Sequence, residues 1–239
     1  MNIALVTAGG IGNRMGQSIP KQFMCIDSIP IIIYTLKAFQ IHPQIDCIAV
    51  VCLEGWEVVL RSYANQFNIS KLKWIFKGGD TNQKSIENGI KGLEENSCNE
   101  NDIILIHDGV RPLISEKIIS ENIDTCKRYG YAVTGLTCKE AIMKKKGECV
   151  EKIDIPRELL VRTQTPHTYY FKSLVDAYKK ANSKNITNTV APCVLFAELG
   201  EITQHLVTGS EKNGLKLTQT EDIELFKALK NTGKEEWLK

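Results

Sequence analysis

The sequence predicts an α/β fold: a mostly parallel sheet flanked by helices, with a β-hairpin that leaves the core. Short runs of β-branched and aliphatic residues alternate with amphipathic stretches of helical length, the pattern of strands joined by right-handed crossovers. The first run, residues 3–6, leads directly into a glycine cluster, as strands do where such sheets bind ligands. A polar segment with alternating apolar positions, residues 138–163, predicts the hairpin.

The first half of the chain supplies most of this alternation. Pro30 precedes an apolar stretch whose spacing predicts a helix with the proline in its first position, despite its β-branched content. A turn-forming cluster, residues 78–85, offers main-chain N–H groups before a further helix begins. The predicted elements are a strand over 3–6, a helix over 31–39, strands over 46–52 and 73–76 separated by a helix over 56–67, and a helix from Ser85 to about Glu94.

The strand predicted over residues 102–106 is the clearest buried run, and it ends in Asp108 and Arg111. A carboxylate and a guanidinium at the tip of a central parallel strand lie where such sheets bind ligands, although Asp108 could instead pair with Arg111 to fix the turn. The remaining predicted elements are a helix over 115–128, a strand over 131–136, the hairpin segment, a return of the chain over 163–167, helices over 169–181 and 190–199, short strands over 202–207 and 215–218, and a closing helix over 220–229.

Length and composition exclude several classes of protein. At 239 residues and 43% hydrophobic content the chain can bury one sizeable core, so a single domain over residues 1–239 is expected. A net charge of +2 argues against a nucleic-acid groove or a membrane surface as partner. We expect neither a transmembrane helix nor a signal peptide, and hence a cytoplasmic protein. The eight cysteines form no C-x-x-C pair, which favours reduced thiols over zinc or disulfides.

The glycine cluster, residues 8–16, has the composition of a phosphate cradle. Glycines without Cβ can adopt positive φ and let main-chain N–H groups approach an anion, while Arg14 and Lys21 add positive charge. The alternative is a Gly-rich strand-to-helix turn with two solvated basic residues. Two common cradles do not fit: a P-loop requires Gly-Lys-Ser/Thr, and the dinucleotide fingerprint has a shorter second gap between glycines.

Together with Pro20 and Lys21, the cluster instead resembles the signature of nucleotidyltransferases that activate sugars and sugar alcohols. The whole chain resembles the family that includes methylerythritol-phosphate and ribitol-phosphate cytidylyltransferases. The blocks that carry the resemblance are the glycine cluster with Arg14 and Lys21, Gly78-Gly79-Asp80 with Ser85, the block 107–112, Gln164-Thr165-Pro166, Ile186-Thr187 and Lys216-Leu217-Thr218. The resemblance implies a Rossmann-like sheet with a protruding arm, a homodimer formed through that arm, and the joining of CTP to a polyol phosphate with release of pyrophosphate.

The resemblance also implies roles for individual residues. The predicted catalytic cations are Arg14, Lys21 and Lys216. The predicted nucleotide-binding residues are Ala8, Gly9, Gly10, Gly12, Gly79, Asp80, Ser85, Asp108, Gly109 and Arg111. The predicted acceptor-binding residues are Asp108, Arg157, Thr165, Thr187 and Thr218. No protein metal ligand is predicted, since the expected Mg²⁺ would be held mainly by substrate phosphates.

The acceptor side departs from the family pattern. The family often has aspartate where this chain has Asn188 and threonine where Ala141 stands, and it has asparagine two residues before the lysine, where this chain has Gly214. The blocks 107–112 and 164–166 resemble the ribitol-phosphate branch more than the methylerythritol-phosphate branch of isoprenoid synthesis, which stays the alternative. A glycosyltransferase is disfavoured because no Asp-x-Asp motif is present, and a non-catalytic nucleotide-binding module is disfavoured by the presence of both lysines.

The arm, residues 138–163, is predicted to lock a two-fold dimer. Its alternating apolar positions, such as Val150 and Ile155, suit a hairpin with one face buried by a partner. The resemblance implies that Arg157 reaches the acceptor phosphate of the partner chain. Alternatively, Arg157 pairs on its own surface with Asp154 or Glu158.

Overall fold

Strands and helices alternate along the chain in the computed structural model, which describes residues 1–10, 19–200 and 204–231. The strands are β1 (Asn2–Ala8), β2 (Cys25–Ile26), β3 (Ile29–Pro30), β4 (Cys47–Cys52), β5 (Leu72–Lys77), β6 (Ile103–Asp108), β7 (Tyr131–Thr137), β8 (Met143–Lys146), β9 (Cys149–Lys152), β10 (Val161–Tyr170) and β11 (His205–Thr208). The helices are α1 (Ile31–Ile41), α2 (Glu57–Gln66), α3 (Asn82–Glu95), α4 (Glu116–Tyr129), α5 (Phe171–Ser183), α6 (Pro192–Glu198) and α7 (Thr220–Asn231), with 3-10 helices at Lys21–Phe23 and Arg157–Leu159.

A seven-stranded sheet runs through the described residues in the order β11-β7-β10-β6-β1-β4-β5. Strand β10 is antiparallel to both of its neighbours, and the other neighbouring strands are parallel. The predicted mostly parallel sheet flanked by helices is therefore confirmed. Strand β1 lies near its centre, which places the segment after Ala8 among the carboxyl ends of β4 and β6.

The apolar run of β1 is covered on both faces, as its composition predicted. Ala4 and Val6 pack with residues of α1, α2 and α4, whereas Ile3 and Leu5 pack with residues of α3, α5 and α6. All four side chains are fully buried. Because successive side chains of a strand point to opposite faces, a continuous apolar run is what a strand between two helical layers requires.

Strand β10 is the main error of the sequence-based prediction. Residues 163–167 were expected only to return the chain, with a helix over 169–181, but the strand continues to Tyr170 and α5 begins at Phe171. The β-branched and aromatic content suits a strand, whereas Pro166 argues against a central one. The structure accommodates the proline because the pairing with β7 shifts register between Thr163 and His167.

Other element boundaries also differ from the prediction. Helix α3 begins at Asn82 rather than Ser85, because the Thr81 hydroxyl accepts a hydrogen bond from the Lys84 N–H and caps the helix three residues earlier. The strand predicted over 215–218 is wrong: this segment is irregular, and the Leu217 N–H bonds to the Val110 carbonyl without forming a ladder. The strand predicted over 202–207 begins outside the described residues and is observed as β11.

The predicted hairpin is present as β8 and β9, which form a two-stranded antiparallel sheet of their own. Their side chains are exposed, apart from a half-buried Glu151. The arm leaves β7 and returns in β10, and the Cys138 N–H donates to the Leu160 carbonyl (2.9 Å) where it departs. The hairpin is therefore an excursion between two neighbouring strands of the main sheet.

Several features bear on the classes of protein considered above. All eight cysteines are free thiols. Within the described residues, no group of three or more His, Cys, Asp and Glu side chains is arranged to hold a metal ion. None of the helices in those ranges combines the length and the apolar character needed to cross a bilayer.

Candidate active site

A cavity of about 560 Å³ opens at the carboxyl ends of β1, β4 and β6. Sheets of this kind bind ligands at that edge. The predicted site residues that line the cavity are Ala8, Gly9, Gly10, Lys21, Gly79, Asp80, Ser85, Asp108, Lys216 and Thr218. The fold thus brings together segments from both ends of the chain.

The other predicted site residues do not line this cavity or lie outside the described ranges. Those that the structure describes away from the cavity wall are Gly109, Arg111, Arg157, Thr165 and Thr187. Gly12 and Arg14 lie outside the described residues, and their contacts with a triphosphate stay predictions. Of the predicted acceptor-binding residues, the cavity contains only Asp108 and Thr218 within the described part of the chain.

A buried glutamine, which the sequence analysis did not identify, holds the start of the glycine cluster. The Gln22 side chain is 1% exposed, and its Nε2 donates to the carbonyl oxygens of Ala8 (2.8 Å) and Gly10 (3.1 Å). These two bonds fix the orientation of both peptide units relative to the 3-10 helix that carries Lys21. The only sequence signal for this role is the position of Gln22 beside Lys21, because its partners depend on the fold.

The two glycine segments of the cavity contact each other directly. A Cβ atom on Gly78 would lie 3.2 Å from the Gly9 Cα and 3.0 Å from the Cys52 carbonyl oxygen. The Gly78 N–H also donates to that carbonyl (2.7 Å). Glycine at position 78 therefore lets the segment after β1 pack on the segment after β5, which closes one wall of the cavity.

Ser85, one of the predicted nucleotide-binding residues, bonds to the main chain of Gly79. Its hydroxyl accepts from the Gly79 N–H (3.0 Å) and donates to the Gly79 carbonyl (3.2 Å). Ser85 is buried in the first turns of α3, whereas Asp80 is exposed on the cavity wall. Ser85 therefore shapes residues 78–80 by holding their backbone.

Asp108 is the centre of a charged cluster at the end of β6. Its Oδ2 accepts from the Arg111 Nε (2.8 Å) and lies 3.0 Å from the Lys216 Nζ. Arg111 also donates from NH1 to the Gly214 carbonyl, so the pairing considered in the sequence analysis is present and extends to a second segment. Burial alone would raise the pKa of Asp108. The charges of Lys216 and Arg111 have the larger, opposite effect, so the pKa of Asp108 lies well below its ordinary value.

Behind Asp108, the predicted acceptor-binding residue Thr165 belongs to a buried hydrogen-bond chain. The Thr165 Oγ1 lies 2.9 Å from the His107 Nδ1 and accepts from the Asp108 N–H (3.2 Å). The His107 Nε2 lies 3.1 Å from the Arg111 carbonyl, which can only accept, so Nε2 donates and Nδ1 accepts from Thr165. Burial lowers the pKa of His107 to about 4, which keeps it neutral at pH 7.

Gln164 fills the space beside Gly214, one of the departures from the family pattern. A Cβ atom on Gly214 would lie 2.0 Å from the Gln164 Nε2, so a side chain at this position would require the Gln164 amide to move. Nε2 also donates to the Ser210 carbonyl (3.1 Å), and Asn213 donates from Nδ2 to the Leu113 carbonyl. These contacts fix the segment that leads into Lys216.

Thr218 is held at the start of α7. The Asp222 carboxylate accepts from the Thr218 N–H (2.7 Å), the Thr218 hydroxyl (3.0 Å) and the Gln219 N–H (2.8 Å). Burial raises the pKa of Asp222, but these hydrogen bonds and the charge of Lys21 leave it lowered. Both lysines line the cavity: Lys216 contacts Asp108, and the charge of Lys21 acts on Asp222.

The remaining predicted acceptor residues are exposed. Thr187 and Asn188 lie on the segment between α5 and α6. Arg157 lies on the arm, where its Nε donates to Glu158 (3.0 Å) and its NH1 to the Lys139 carbonyl (3.2 Å). The surface pairing that the sequence analysis considered for Arg157 is therefore present in the single chain.

The sheet and the cavity together are typical of one class of protein: α/β enzymes that bind a nucleotide at the carboxyl edge of the sheet, here with glycine backbone and lysine side chains on the cavity wall. Residues 2–231 match the family described as 2-C-methyl-D-erythritol 4-phosphate cytidylyltransferase (IspD), and the chain belongs to this family. It is thus a nucleotidyltransferase, as the sequence predicted.

Similar proteins include both branches of the family. A ribitol-5-phosphate cytidylyltransferase from Lacticaseibacillus paracasei is 44% identical over 230 residues, covering 95% of this chain and 97% of that protein. A 2-C-methyl-D-erythritol 4-phosphate cytidylyltransferase from Clostridium botulinum is 36% identical over 223 residues, covering 93% and 94%. The solved 2-C-methyl-D-erythritol 4-phosphate cytidylyltransferase of Francisella tularensis has the same fold, with a TM-score of 0.78 at 23% identity over 95% of this chain and 98% of that one.

Proposed function

We propose that this protein joins CTP and ribitol 5-phosphate to give CDP-ribitol and pyrophosphate. The observation that carries the chemistry is the cavity in which the glycine segment, Lys21, Asp108 and Lys216 meet. The choice of acceptor rests on relatives: ribitol-5-phosphate cytidylyltransferases are 44% and 38% identical to this chain. A 2-C-methyl-D-erythritol 4-phosphate cytidylyltransferase at 36% identity makes methylerythritol 4-phosphate the second candidate.

On the nucleotide side, the backbone of residues 8–10 and Lys21 would bind the triphosphate. Arg14 and Gly12 are proposed to extend this site. Cytosine carries an exocyclic amino group, which backbone carbonyls can read, and Gly79 lies on the cavity wall beside Asp80. The ribose would lie near Asp108.

The proposed reaction needs no general base. The acceptor phosphate has a second pKa near ~6, so its oxygen is largely ionised at pH 7 and attacks the α-phosphorus of CTP directly. The new O–P bond forms as the bond between the α-phosphorus and its bridging oxygen breaks, and the electron pair leaves with pyrophosphate. Lys21 and Lys216 would stabilise the charge that shifts between these oxygens, and Asp108 would orient Lys216.

The donor set of the cavity fits the expected Mg²⁺. This ion keeps several waters and is usually held by one or two carboxylates together with substrate phosphates, rather than by a protein cage. Asp80 and Asp108 place carboxylates on the cavity wall, and the substrate phosphates would be the main ligands of the ion. When bound, Mg²⁺ screens the repulsion between the phosphate groups.

The proposed assembly is a homodimer in which Arg157 acts in the partner's site. Apolar side chains are exposed on or beside the arm, at Met143, Val150, Ile155, Leu159 and Val161. The ion pair of Arg157 with Glu158 is also exposed, and solvent screening makes such pairs weak, so a phosphate can replace the glutamate. A guanidinium can bind a phosphate with two parallel hydrogen bonds.

The expected cytoplasmic location stays a prediction.

The substrate proposal is tested by measuring pyrophosphate release from four nucleoside triphosphates with ribitol 5-phosphate and with methylerythritol 4-phosphate, with products identified by mass spectrometry. We expect CTP and ribitol 5-phosphate to give the highest kcat/KM. A higher value with methylerythritol 4-phosphate would assign the chain to the other branch. Binding of CTP without turnover of either acceptor would favour a non-catalytic module.

The shared site is tested by mixing two impaired proteins, Arg157→Ala and Lys21→Ala, at an acceptor concentration far below the KM of Arg157→Ala, where each protein alone has little activity. If sites are shared, each heterodimer has one site with both residues intact and one with neither. Activity should then return, up to about a quarter of the wild-type value for random mixing. Verified subunit exchange without recovered activity would exclude Arg157 acting in trans.

A further inference from the structure

Gln83 connects the nucleotide side of the cavity to the segment that carries Thr187. We call residues 186–190 the acceptor loop. The Gln83 side chain is 4% exposed, and its Nε2 donates to the Ile186 carbonyl (2.5 Å). Its Oε1 accepts from both the Thr189 N–H (2.8 Å) and the Thr189 hydroxyl (3.0 Å). One buried amide therefore holds the loop on both sides of Thr187.

A neighbouring amide completes this attachment. Asn82, which lines the cavity, donates from Nδ2 to the Val190 carbonyl (3.2 Å). The start of the loop is also held by the end of α5, through the Ile186 N–H and the Ala181 carbonyl (3.0 Å). Thr187 and Asn188 are the exposed pair between these anchors. The loop thus carries two exposed polar side chains on a backbone that α3 positions.

The same turn of α3 also shapes the nucleotide side. Ser85, two residues after Gln83, bonds to the main chain of Gly79. We infer that Gln83 is a positioning residue for the acceptor: it fixes the acceptor loop relative to the nucleotide-binding segment, and so determines how well the acceptor phosphate is bound. This inference rests on the proposed function and adds a residue to which neither the motifs nor the family resemblance pointed.

The chemistry of the side chain allows a graded test. An amide supplies both the donor for Ile186 and the acceptor for Thr189. Glutamate at position 83 would keep the two bonds to Thr189 but could not donate to Ile186 unless it were protonated. Methionine has nearly the same length and would lose all three bonds, leaving a buried N–H and a buried carbonyl unsatisfied. The variants Gln83→Glu and Gln83→Met therefore remove the attachment in two steps.

The experiment compares steady-state kinetics of wild type, Gln83→Glu and Gln83→Met, varying CTP and ribitol 5-phosphate separately. We expect Gln83→Met to raise KM for the acceptor about ten-fold, with KM for CTP changed less than two-fold. The acceptor KM of Gln83→Glu should lie between those of the wild type and Gln83→Met. Its deficit relative to wild type at the same pH should shrink as the pH is lowered, because a protonated carboxyl can donate to Ile186.

Gln40→Met is the matched control. The Gln40 amide also bridges two segments, accepting from the Lys71 N–H (2.8 Å) and donating to the Ser70 hydroxyl (2.9 Å), but it does not line the cavity. It should leave both KM values unchanged. Thermal unfolding of each variant verifies that it is folded. An acceptor KM within two-fold of wild type in Gln83→Met, or an equal rise for CTP, would overturn the inference.

Hydrogen exchange separates this inference from the proposed function. The Thr189 N–H bonds to Gln83, so Gln83→Met should reduce protection of the acceptor loop while protection of α3 beyond its first turn is retained. This measurement requires no turnover. Unchanged protection of the loop would refute the role of Gln83 even if the wild type makes CDP-ribitol, and a wild type inactive with ribitol 5-phosphate would refute only the proposed acceptor.

Discussion

The nucleotide side of the cavity, formed by residues 8–10 and 78–85, is tied together by buried contacts, whereas the predicted acceptor residues Thr187 and Arg157 are exposed. Gln22 secures the first segment and glycine packing joins it to the second. The described part of the proposed nucleotide site is thus held by buried contacts. The proposed acceptor site depends in addition on an exposed loop and on the arm, and the predictions below test that difference.

The largest effect is expected from the two lysines of the cavity. Lys21→Ala or Lys216→Ala should lower kcat by about 10²–10³, roughly 3–4 kcal/mol, because each charge meets charge that shifts during the reaction. Steady-state kinetics will measure this, with Lys127→Ala on the exposed surface of α4 as control. If kcat is unchanged and only KM for CTP rises, the lysines bind ground and transition states equally, and the catalytic assignment is wrong.

The next largest effect concerns the arm. Arg157→Ala should raise KM for the acceptor by roughly 10–100-fold without changing KM for CTP, since hydrogen bonds to charged groups contribute about 1.5–3 kcal/mol. Arg162→Ala is the matched control, because Arg162 is similarly exposed and pairs with Glu211. An unaltered acceptor KM in Arg157→Ala would mean that this arginine has only its surface contact with Glu158.

Acid should lower the free energy of unfolding through two buried histidines beneath the site, a kind of group that the exposed arm does not contain. Burial lowers the pKa of His107 and of His167 to about 4, below the unfolded value of 6.5, so acidification protonates the unfolded state first. The stability that these two neutral histidines contribute is fully present above pH 6.5 and is lost as the pH falls towards 4. Between pH 7 and pH 5 each histidine should cost about 2 kcal/mol in the free energy of unfolding.

Urea unfolding at the two pH values will measure this cost. His167 has no hydrogen-bond partner for either ring nitrogen among the described residues, so His167→Phe should fold and show a smaller loss at pH 5 than wild type. Equal unfolding free energies of the wild type at pH 7 and pH 5 would contradict the burial of two neutral histidines.

The smallest effect tests the glycine segment. Gln22→Leu should raise KM for CTP about ten-fold, because the Ala8 and Gly10 carbonyls lose their donor and the peptide units lose a fixed orientation. KM for the acceptor should be unaffected, which is the reverse of the result expected at Gln83. Gln66→Leu, on the exposed end of α2, serves as control. A rise in both KM values would show that Gln22 supports the fold as a whole.

Sequence patterns predicted the parts of this molecule that depend on local composition. The apolar runs of β1, β4 and β6 identified the centre of the sheet, and the spacing of Asp108 and Arg111 suggested their pairing. Strand β10 was not predicted: a proline is unusual in a strand with two neighbours, and the register shift that accommodates Pro166 depends on the neighbouring strand.

The side chains that organise the site could not be found in the same way. Gln22, Gln83 and Gln164 each bond to backbone far along the chain or across a turn, and a glutamine has no periodic pattern that marks such a partner. In the sequence, Gly214 is a departure from the family pattern on the acceptor side. In the structure, it lies against the side chain of Gln164. Motifs reveal the groups that contact substrates, but the groups that hold them depend on tertiary packing.

The arm joins the main sheet at the hydrogen bond between the Cys138 N–H and the Leu160 carbonyl, so the arm can be replaced without changing the sheet. Because the chain leaves β7 and returns in β10 at that bond, a two-residue Asn-Gly turn could replace residues 139–159 while the order of the strands stays the same. The shortened protein would lose Arg157 and the exposed apolar face, yet keep every described residue of the cavity wall. On the proposed dimerisation through the arm, the shortened protein would be a monomer that still binds CTP, and it could be engineered into a nucleotide sensor.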